Sequence, residues 1–378
     1  MWSEFNNRIF SLACKTSIVT DDDKNYITDT FRWLRNNSSD SNDINKQNLL
    51  DNGLIKICLW YFEDYFREDN LSRSIILQFL SNFSMNNKNV QEQIFKGFHK
   101  KIRVTFLSSN DAKLLNTSIM ILYTLSINNN ELRVQVLQDD ELIKEVFKKW
   151  EKAELEYCKI FLDSIFSNSK DFFIIYKNIC SQTQSDLLEI LCIWLEHYEE
   201  EVSIDVIDTI GKKLFMEITY FDEVKNSVLN ILAKSSSISK FKSKFDNDPQ
   251  FLKKIIDLLK YVHERSKNNN EFSEVKNLST LFSGSEIISH SRFCFKSDII
   301  RLISNICHNN LDNQNMIRTE HVIPILLECC SFDAKNPLMR EWSIVALRNI
   351  LNGNLNNQTF VANIDAIGPI DQNSKIAF

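Results

Sequence analysis

The sequence predicts an all-α chain, a right-handed superhelical solenoid of armadillo/HEAT-like repeats. Three observations predict it. Only six of 378 residues are Gly and four are Pro, well below the usual share of about 7 % and 5 %, so long helices with few tight turns are implied. A short pattern recurs in which a helical stretch ends in Leu-x-Asn, or a near variant, and an Asn-rich turn follows. The clear copies are 42 residues apart from Asn82 to Thr124 and 44 apart from Asn305 to Asn349, within the roughly 40–47 residues of armadillo and HEAT units. A chain of this length also exceeds what one compact core usually holds, so it is two or three globular domains or one elongated stack, and composition favours the stack, of seven to nine units.

The copies run along the chain in order. Phe79-Leu80-Ser81-Asn82 precedes Met85-Asn86-Asn87, Leu122-Tyr123-Thr124-Leu125 precedes Asn128-Asn129-Asn130, and Leu302-Ile303-Ser304-Asn305 precedes Asn309-Asn310. The clearest is Ala346-Leu347-Arg348-Asn349-Ile350-Leu351 before Asn352-Gly353-Asn354, and weaker copies sit at Arg35-Asn36, Asp163-Ser164 and Leu229-Asn230. From Ser297 to Cys307, the residues Ile299, Leu302, Ile303, Ile306 and Cys307 follow i, i+3, i+4, i+7, i+8, one apolar stripe for a core. Ser297 is its expected N-cap. In the last copy Asn336 is expected to cap, with Pro337 at the first helical position and Trp342, Ala346, Leu347 and Ile350 facing inward, so that Trp342 is read as a packing residue. Pro324 is expected to open a short helix from Ile325 to Cys330.

Charge and composition exclude several classes. The net charge is −6 with both signs interspersed, so no basic face announces nucleic acid. Nine Cys at irregular spacing do not read as a disulfide framework, and the first residues carry no uninterrupted apolar stretch like a signal peptide; reduced thiols are expected, in cytosol or nucleus, with the cytoplasm the expected compartment. No apolar run approaches the ~18 residues of a membrane span. Scarce Gly also counts against phosphate-cradling loops and strained nucleophile turns.

From Glu264 to Ser291 the pattern breaks, with Lys267-Asn268-Asn269-Asn270, several Ser and Gly284. This stretch reads as a surface loop or insertion. The expected organisation is therefore N-terminal repeats over 1–263, a flexible loop over 264–291, a C-terminal repeat domain over 292–364 and a tail over 365–378.

The C-terminal residues carry a family signature. Phe295-Lys296-Ser297-Asp298-Ile299-Ile300-Arg301-Leu302-Ile303-Ser304-Asn305-Ile306-Cys307 is followed by Asp312-Asn313-Gln314, Ile323-Pro324-Ile325-Leu326, Asn336-Pro337, Arg340-Glu341-Trp342 and Ala346-Leu347-Arg348-Asn349. Over about 70 residues this resembles the C-terminal domain of ataxin-10 proteins. The resemblance implies an armadillo-like adaptor without enzymatic activity, cofactor or metal, acting in cell division (cytokinesis), neurite growth and ciliary functions. It further implies a cytoplasmic location with perinuclear, centrosomal or midbody pools, association with O-linked N-acetylglucosamine transferase and a G-protein β subunit, and self-association as a homo-oligomer.

The densest Cys/His set is Cys307-His308, His321 and Cys329-Cys330, but adjacent Cys cannot easily share one tetrahedral ion, and buried thiols are the expectation. The acidic run Glu196-His197-Tyr198-Glu199-Glu200-Glu201 reads as a solvated helix end. In armadillo proteins that bind extended peptides, an Asn on the third helix clamps the peptide backbone and a Trp one turn earlier stacks its side chains. Asn82, Asn230, Asn305 and Asn349 fit the first role, but the residues four earlier are Gln78, Asn226, Arg301 and Val345. A peptide carrier or nuclear transport factor is thus the rival to a general protein scaffold. An Asn that closes its own helix end is the structural alternative. Because polar groups that a core does not need are the better binding candidates, Arg301, Asn305, Glu341, Val345 and Asn349 are the candidate protein-binding residues, one concave strip across two helices.

Overall fold

The computed structural model describes residues 7–9, 11, 21–38, 43–152, 154–219, 225–246, 248–268, 272–275 and 292–364. Every regular element among them is helical, and the chain divides into two compact units, Met1–Ile190 and Leu191–Phe378.

The first unit contains α1 (Asp21–Asn37), α2 (Asp43–Asp51), α3 (Leu54–Trp60, continued by a π-helical turn Tyr61–Tyr65), α4 (Asn70–Ser84), α5 (Lys88–Ser108), α6 (Ala112–Ser126), α7 (Asn130–Leu137), α8 (Asp140–Lys149), α9 (Glu156–Phe166) and α10 (Ser169–Asn178). Helices α1, α4, α6 and α9 pack in succession; two helices lie between α1 and α4 and two between α6 and α9, whereas the single 21-residue helix α5 lies between α4 and α6. The second unit contains α12 (Ile204–Thr209, continued by a π-helical turn Ile210–Phe215), α13 (Asn226–Ser235), α14 (Ser239–Lys242), α15 (Pro249–Ser266), α16 (Phe295–Cys307), α17 (Leu311–Thr319), α18 (Val322–Glu328), α19 (Met339–Leu351) and α20 (Leu355–Ala362), with α13, α16 and α19 in succession. Helix α11 (Ser181–His197) carries the chain across position 190.

The Asn-rich turns are explained by what each Asn does. A third helix must end and the next first helix must begin within a few residues, leaving orphan carbonyls and amides on both sides. At Asn86-Asn87, Asn309-Asn310 and Gly353-Asn354 the first residue takes the left-handed conformation (φ 59°, 57° and 71°). Asn and Gly are the residues that tolerate it. The second residue N-caps the next helix: Asn87 accepts from the Val90 amide, Asn310 from Asn313 and Asn354 from Asn357. Asn129 caps in the same way through the Leu132 amide. In each case the capping Asn stands five residues after the marked position, 82, 124, 305 or 349.

The marked Asn residues link repeats. Asn82 Nδ2 donates to the Arg35 carbonyl (3.0 Å), Asn305 Nδ2 to Ala233 (3.3 Å) and Asn349 Nδ2 to Ser304 (3.0 Å). Each amide therefore closes the last turn of the preceding third helix, a long-range C-cap. Asn230 breaks the series. The equivalent position in α13, two residues before the helix end, is Ala233, while Asn230 reaches forward to Asp298 (3.2 Å). The first helices add further rungs: Gln91 donates to Thr124 O, Gln314 to Asn349 O and Asn357 to Ile350 O. The Asp312-Asn313-Gln314 run is thus largely capping chemistry.

The expected stripe on α16 holds, with Ile299, Leu302, Ile303, Ile306 and Cys307 at most 1 % exposed. Burial of each apolar side chain stabilises by roughly 1.5–3 kcal/mol. Several local expectations fail. Helix α16 starts two residues before Ser297, with Cys294 (φ 61°) at its N-cap, and Ser297 lies inside it donating to the Cys294 carbonyl (2.7 Å). Asn336 does cap a helix, but it is α16: its Oδ1 accepts from the Lys296 (3.0 Å) and Ser297 (3.2 Å) amides. Helix α19 begins at Met339, beyond Pro337. Pro324 is the third residue of α18 and not its opener, where its missing N–H is still one of the orphans. The buried face of α19 is Met339, Ser343, Ala346 and Ile350, so Trp342 does not face inward. Ser343 replaces it there because its hydroxyl is satisfied by the Met339 (2.8 Å) and Cys329 (3.3 Å) carbonyls.

Of the stretch 264–291, α15 occupies the residues to Ser266, and 272–275 are seated against the turn before α19. Phe272 is buried, the Val275 amide donates to Asp333 Oδ1 (2.9 Å) and the Ala334 amide donates to the Val275 carbonyl (2.8 Å). Residues 276–291 and the expected tail 365–378 lie outside the described residues.

Candidate functional site

Helix α16 is packed against α13, α15 and α19, and its only residues that are not buried are Arg301 and Asn305. They stand one turn apart on a single row. The next helix, α19, has fewer neighbours and leaves Glu341, Val345 and Arg348 exposed, with Trp342 and Asn349 half-buried. The five sequence-expected residues therefore lie on two successive third helices of one unit.

Arg301 is the centre of the arrangement. Its guanidinium carbon lies 5.0 Å from the centre of the Trp342 ring, a cation–π stack, and Nη2 reaches the Ser237 hydroxyl at 3.5 Å. Its Nε is buried and has no hydrogen-bond partner. Burial lowers its pKa, opposed by the charges of Asp298 and Glu196. Neither carboxylate forms an ion pair with it among the described residues, because each is engaged elsewhere. Glu196 pairs with Lys234, and Asp298 accepts from Asn230. Burial pushes the Asp298 carboxyl up to about 6, with the Asn230 bond, Arg301 and Lys234 working against the rise.

The two Asn side chains of the strip are already committed. Asn305 Nδ2 donates to Ala233 O and to the Ser236 hydroxyl (2.9 Å); Asn349 Nδ2 donates to Ser304 O and its hydroxyl (3.1 Å). What this leaves for a partner is Arg301 with its stacked indole, the exposed Glu341 and the 36 %-exposed Val345. Sequence reasoning missed Trp342, since a large apolar residue near an apolar stripe reads as core. Its spacing of three from Val345 and seven from Asn349 could have placed it on their face.

A second polar cluster surrounds a cavity of about 640 Å³ lined by His263, Ser266, Lys267, Ser273, Glu274, Glu328 and Ser331. His263 Nε2 lies 3.0 Å from Glu328 and its Nδ1 3.5 Å from the buried Lys296 ammonium. Burial, then the Lys296 and Lys267 charges, lowers the His263 pKa against the pull of Glu328. Burial pushes the neighbouring Cys329 thiol up to about 11, the protonated, unreactive form at neutral pH. The cluster joins α15, α16 and α18. Among the described residues no group of three or more His, Cys, Asp or Glu is placed to hold a metal ion, and none of the helices is long and apolar enough to cross a membrane.

Helices that repeat in threes and hand capping amides back from one third helix to the one before define an armadillo-like repeat scaffold. Residues 295–377 match the spinocerebellar ataxia type 10 protein domain. Similarity to curated proteins extends much further: ataxin-10 of Bos taurus is 25 % identical over 372 residues, 91 % of this chain and 77 % of that protein, and ataxin-10 of Homo sapiens is 26 % identical over 374 residues with the same coverage. The ataxin-10 homolog of Dictyostelium discoideum is 38 % identical over 74 residues, 20 % of this chain and 12 % of that one. Residues 295–377 thus carry the ataxin-10 domain, and the likeness to ataxin-10 proteins runs along 91 % of the chain. Among solved structures, an engineered protein superposes with a TM-score of 0.31 at 16 % identity, covering 80 % of this chain and 99 % of that one. A designed armadillo repeat protein in complex with the peptide (KR)4 gives 0.26 at 12 %, covering 92 % and 99 %. At such scores the fold rests on the helices themselves.

Proposed function

We propose that this ataxin-10 relative is a non-enzymatic, cytoplasmic adaptor that engages protein partners through the strip Arg301, Asn305, Glu341, Val345 and Asn349, in the C-terminal repeats 292–364 that follow the 264–291 stretch. The observation that carries this reading is the burial pattern of α16, closed on every face except the row of Arg301 and Asn305. That row adjoins the exposed residues of α19. By family resemblance the activity is in cytokinesis, neurite growth or ciliary function, with O-linked N-acetylglucosamine transferase, a G-protein β subunit or a second copy as partners. The peptide-carrier rival is weaker, since the Asn amides it needs for a peptide backbone are spent on repeat-to-repeat caps.

The test is capture of partners from cell extract by the full chain and by its Arg301→Glu/Val345→Glu variant, with melting curves measured in parallel. At least one partner should be lost while a cooperative melting transition is retained, its midpoint lowered by about 2–4 °C for each kcal/mol lost, because Arg301 is half-buried beside Asp298 and Glu196. Retention of every captured protein by the variant would remove the strip from the binding face.

A further inference from the structure

We propose that Arg301 is the receptor for a side-chain carboxylate on an extended, acidic segment of a partner protein, an inference that rests on the strip being the binding face. The guanidinium is held in place and has no ion-pair partner among the described residues. Trp342 supports one face and Nη2 touches the Ser237 hydroxyl at 3.5 Å in an exposed contact, so the Nη edge is what a partner can reach, while the buried Nε, also without an acceptor, is out of reach. A half-buried cation has lost part of its hydration, and that loss is compensated only by an anion at contact distance. Arg is the cation suited to such a place, because it is weakly hydrated, stacks on aromatic rings and meets a carboxylate with two parallel N–H donors.

Among the described residues, the two carboxylates whose charge acts on Arg301 are engaged elsewhere: Glu196 with Lys234 and Asp298 with the Asn230 amide. The vacancy is therefore for an acid from outside. Its charge should be −1. A phosphate group carries close to −2 and is bound by clusters of Arg or Lys, whereas here Glu196 and Asp298 repel a second negative charge and Lys234 is already paired. Val345, three residues along α19 from Trp342 and exposed, adds apolar surface on the same helix face, so the residue flanking the acid should be aliphatic.

The experiment pans a display library of random decapeptides on the full chain, then measures fluorescein-labelled winners by anisotropy, each also with glutamine or phosphoserine in place of its acidic residue. Enriched peptides should carry Asp or Glu beside an aliphatic residue, and glutamine should weaken binding about tenfold, as expected for losing a charge-assisted bond. Arg301→Gln should weaken the acidic peptide by a similar factor and abolish the difference between the acid and glutamine peptides, the coupling that isolates this contact. Arg301→Lys, which keeps charge without the fork or the planar stack, should fall between. No enrichment, an acid preference that survives Arg301→Gln in a variant that melts like wild type, or tighter binding of phosphoserine would each overturn the inference. Loss of partners by the Arg301→Glu/Val345→Glu variant would in those cases still leave the scaffold reading standing.

Discussion

Both units fasten their repeats with amides and ion pairs, Asn82 and Arg103 in the first, Asn305 and the Lys253–Glu320 pair in the second, but their buried fasteners differ in chemistry. In the first, charged side chains span successive repeats: Arg103 bonds both Asp139 and Glu141, and Arg133 Nε meets Asp171 at 3.1 Å while its Nη2 donates to the Ser164 hydroxyl. In the second, neutral amides predominate around α16, α17, α19 and α20, where Asn305, Gln314, Asn336, Asn349 and Asn357 all serve backbone groups of another element. Both solutions satisfy the orphan groups of helix ends. They differ in what disturbs them, since a buried ion pair depends on both partners being present and charged, and an amide does not.

Breaking one fastener of each kind tests the contrast. The largest effect is expected from Arg133→Ala. Arg133 is 6 % exposed and its partner Asp171 is 14 % exposed at the side chain, so truncation strands a carboxylate. The loss should be about 3 kcal/mol or more, read by urea titration, with hydrogen exchange rising in α7, α9 and α10. Protection unchanged there would show that the pair contributes little. Asn336→Ala should cost about 2–3 kcal/mol, because it leaves two amides of α16 and Asp333 without their bonds. Exchange should then quicken at the N-terminus of α16, some forty residues earlier in sequence. Quickening confined to residues 333–339 would mean that Asn336 acts only on its own turn.

The smallest effect sharpens the comparison through pH. Asp298 is the one carboxylate buried among the amides of α13 and α16, and its pKa in the folded protein, about 6, lies above the ordinary 3.8. The folded state therefore binds more protons than the unfolded between these values. This group's contribution favours folding at pH 4 and is lost as pH rises through 6. His263, with its lowered pKa, has the opposite slope: the unfolded state binds its proton first, and stability falls as pH drops below the ordinary value of 6.5. The difference between wild type and Asp298→Asn isolates the first. The variant should gain about 1 kcal/mol at pH 7 relative to wild type, offset in part by a weaker Asn230 bond, and the gain should vanish near pH 4. A gain that is the same at both pH values would mean that Asp298 is not held above its ordinary pKa.

Period and stripe were legible in the sequence because both are local. The spacing of Ile299, Leu302, Ile303 and Ile306 needs only 3.6 residues per turn to be read. The partners were not legible, because each lies about one repeat away. Asn336 looks like a cap for the helix that follows it, and nothing near it in sequence says that α16 stands closer. Asn230 carries the repeat's signature and Ala233 carries its place in the stack. For the binding strip, the row of Arg301 and Asn305 could be found by helical periodicity, while the stack on Trp342 needed two helices set side by side.

The turns also constrain how such a chain can change in length. From Asn82 to Asn87, Asn305 to Asn310 and Asn349 to Asn354 the interval is five residues, closing one repeat and opening the next. A single inserted residue would carry the capping Asn away from its amide or turn the left-handed slot over to a side chain that resists it. Between α15 and α16, the second and third helices of one repeat, no such pair of anchors stands among the described residues, and there the chain accommodates the 28 residues from Lys267 to Cys294. Family members that gain or lose sequence should do so inside repeats, while whole repeats can be duplicated without loss of their fasteners.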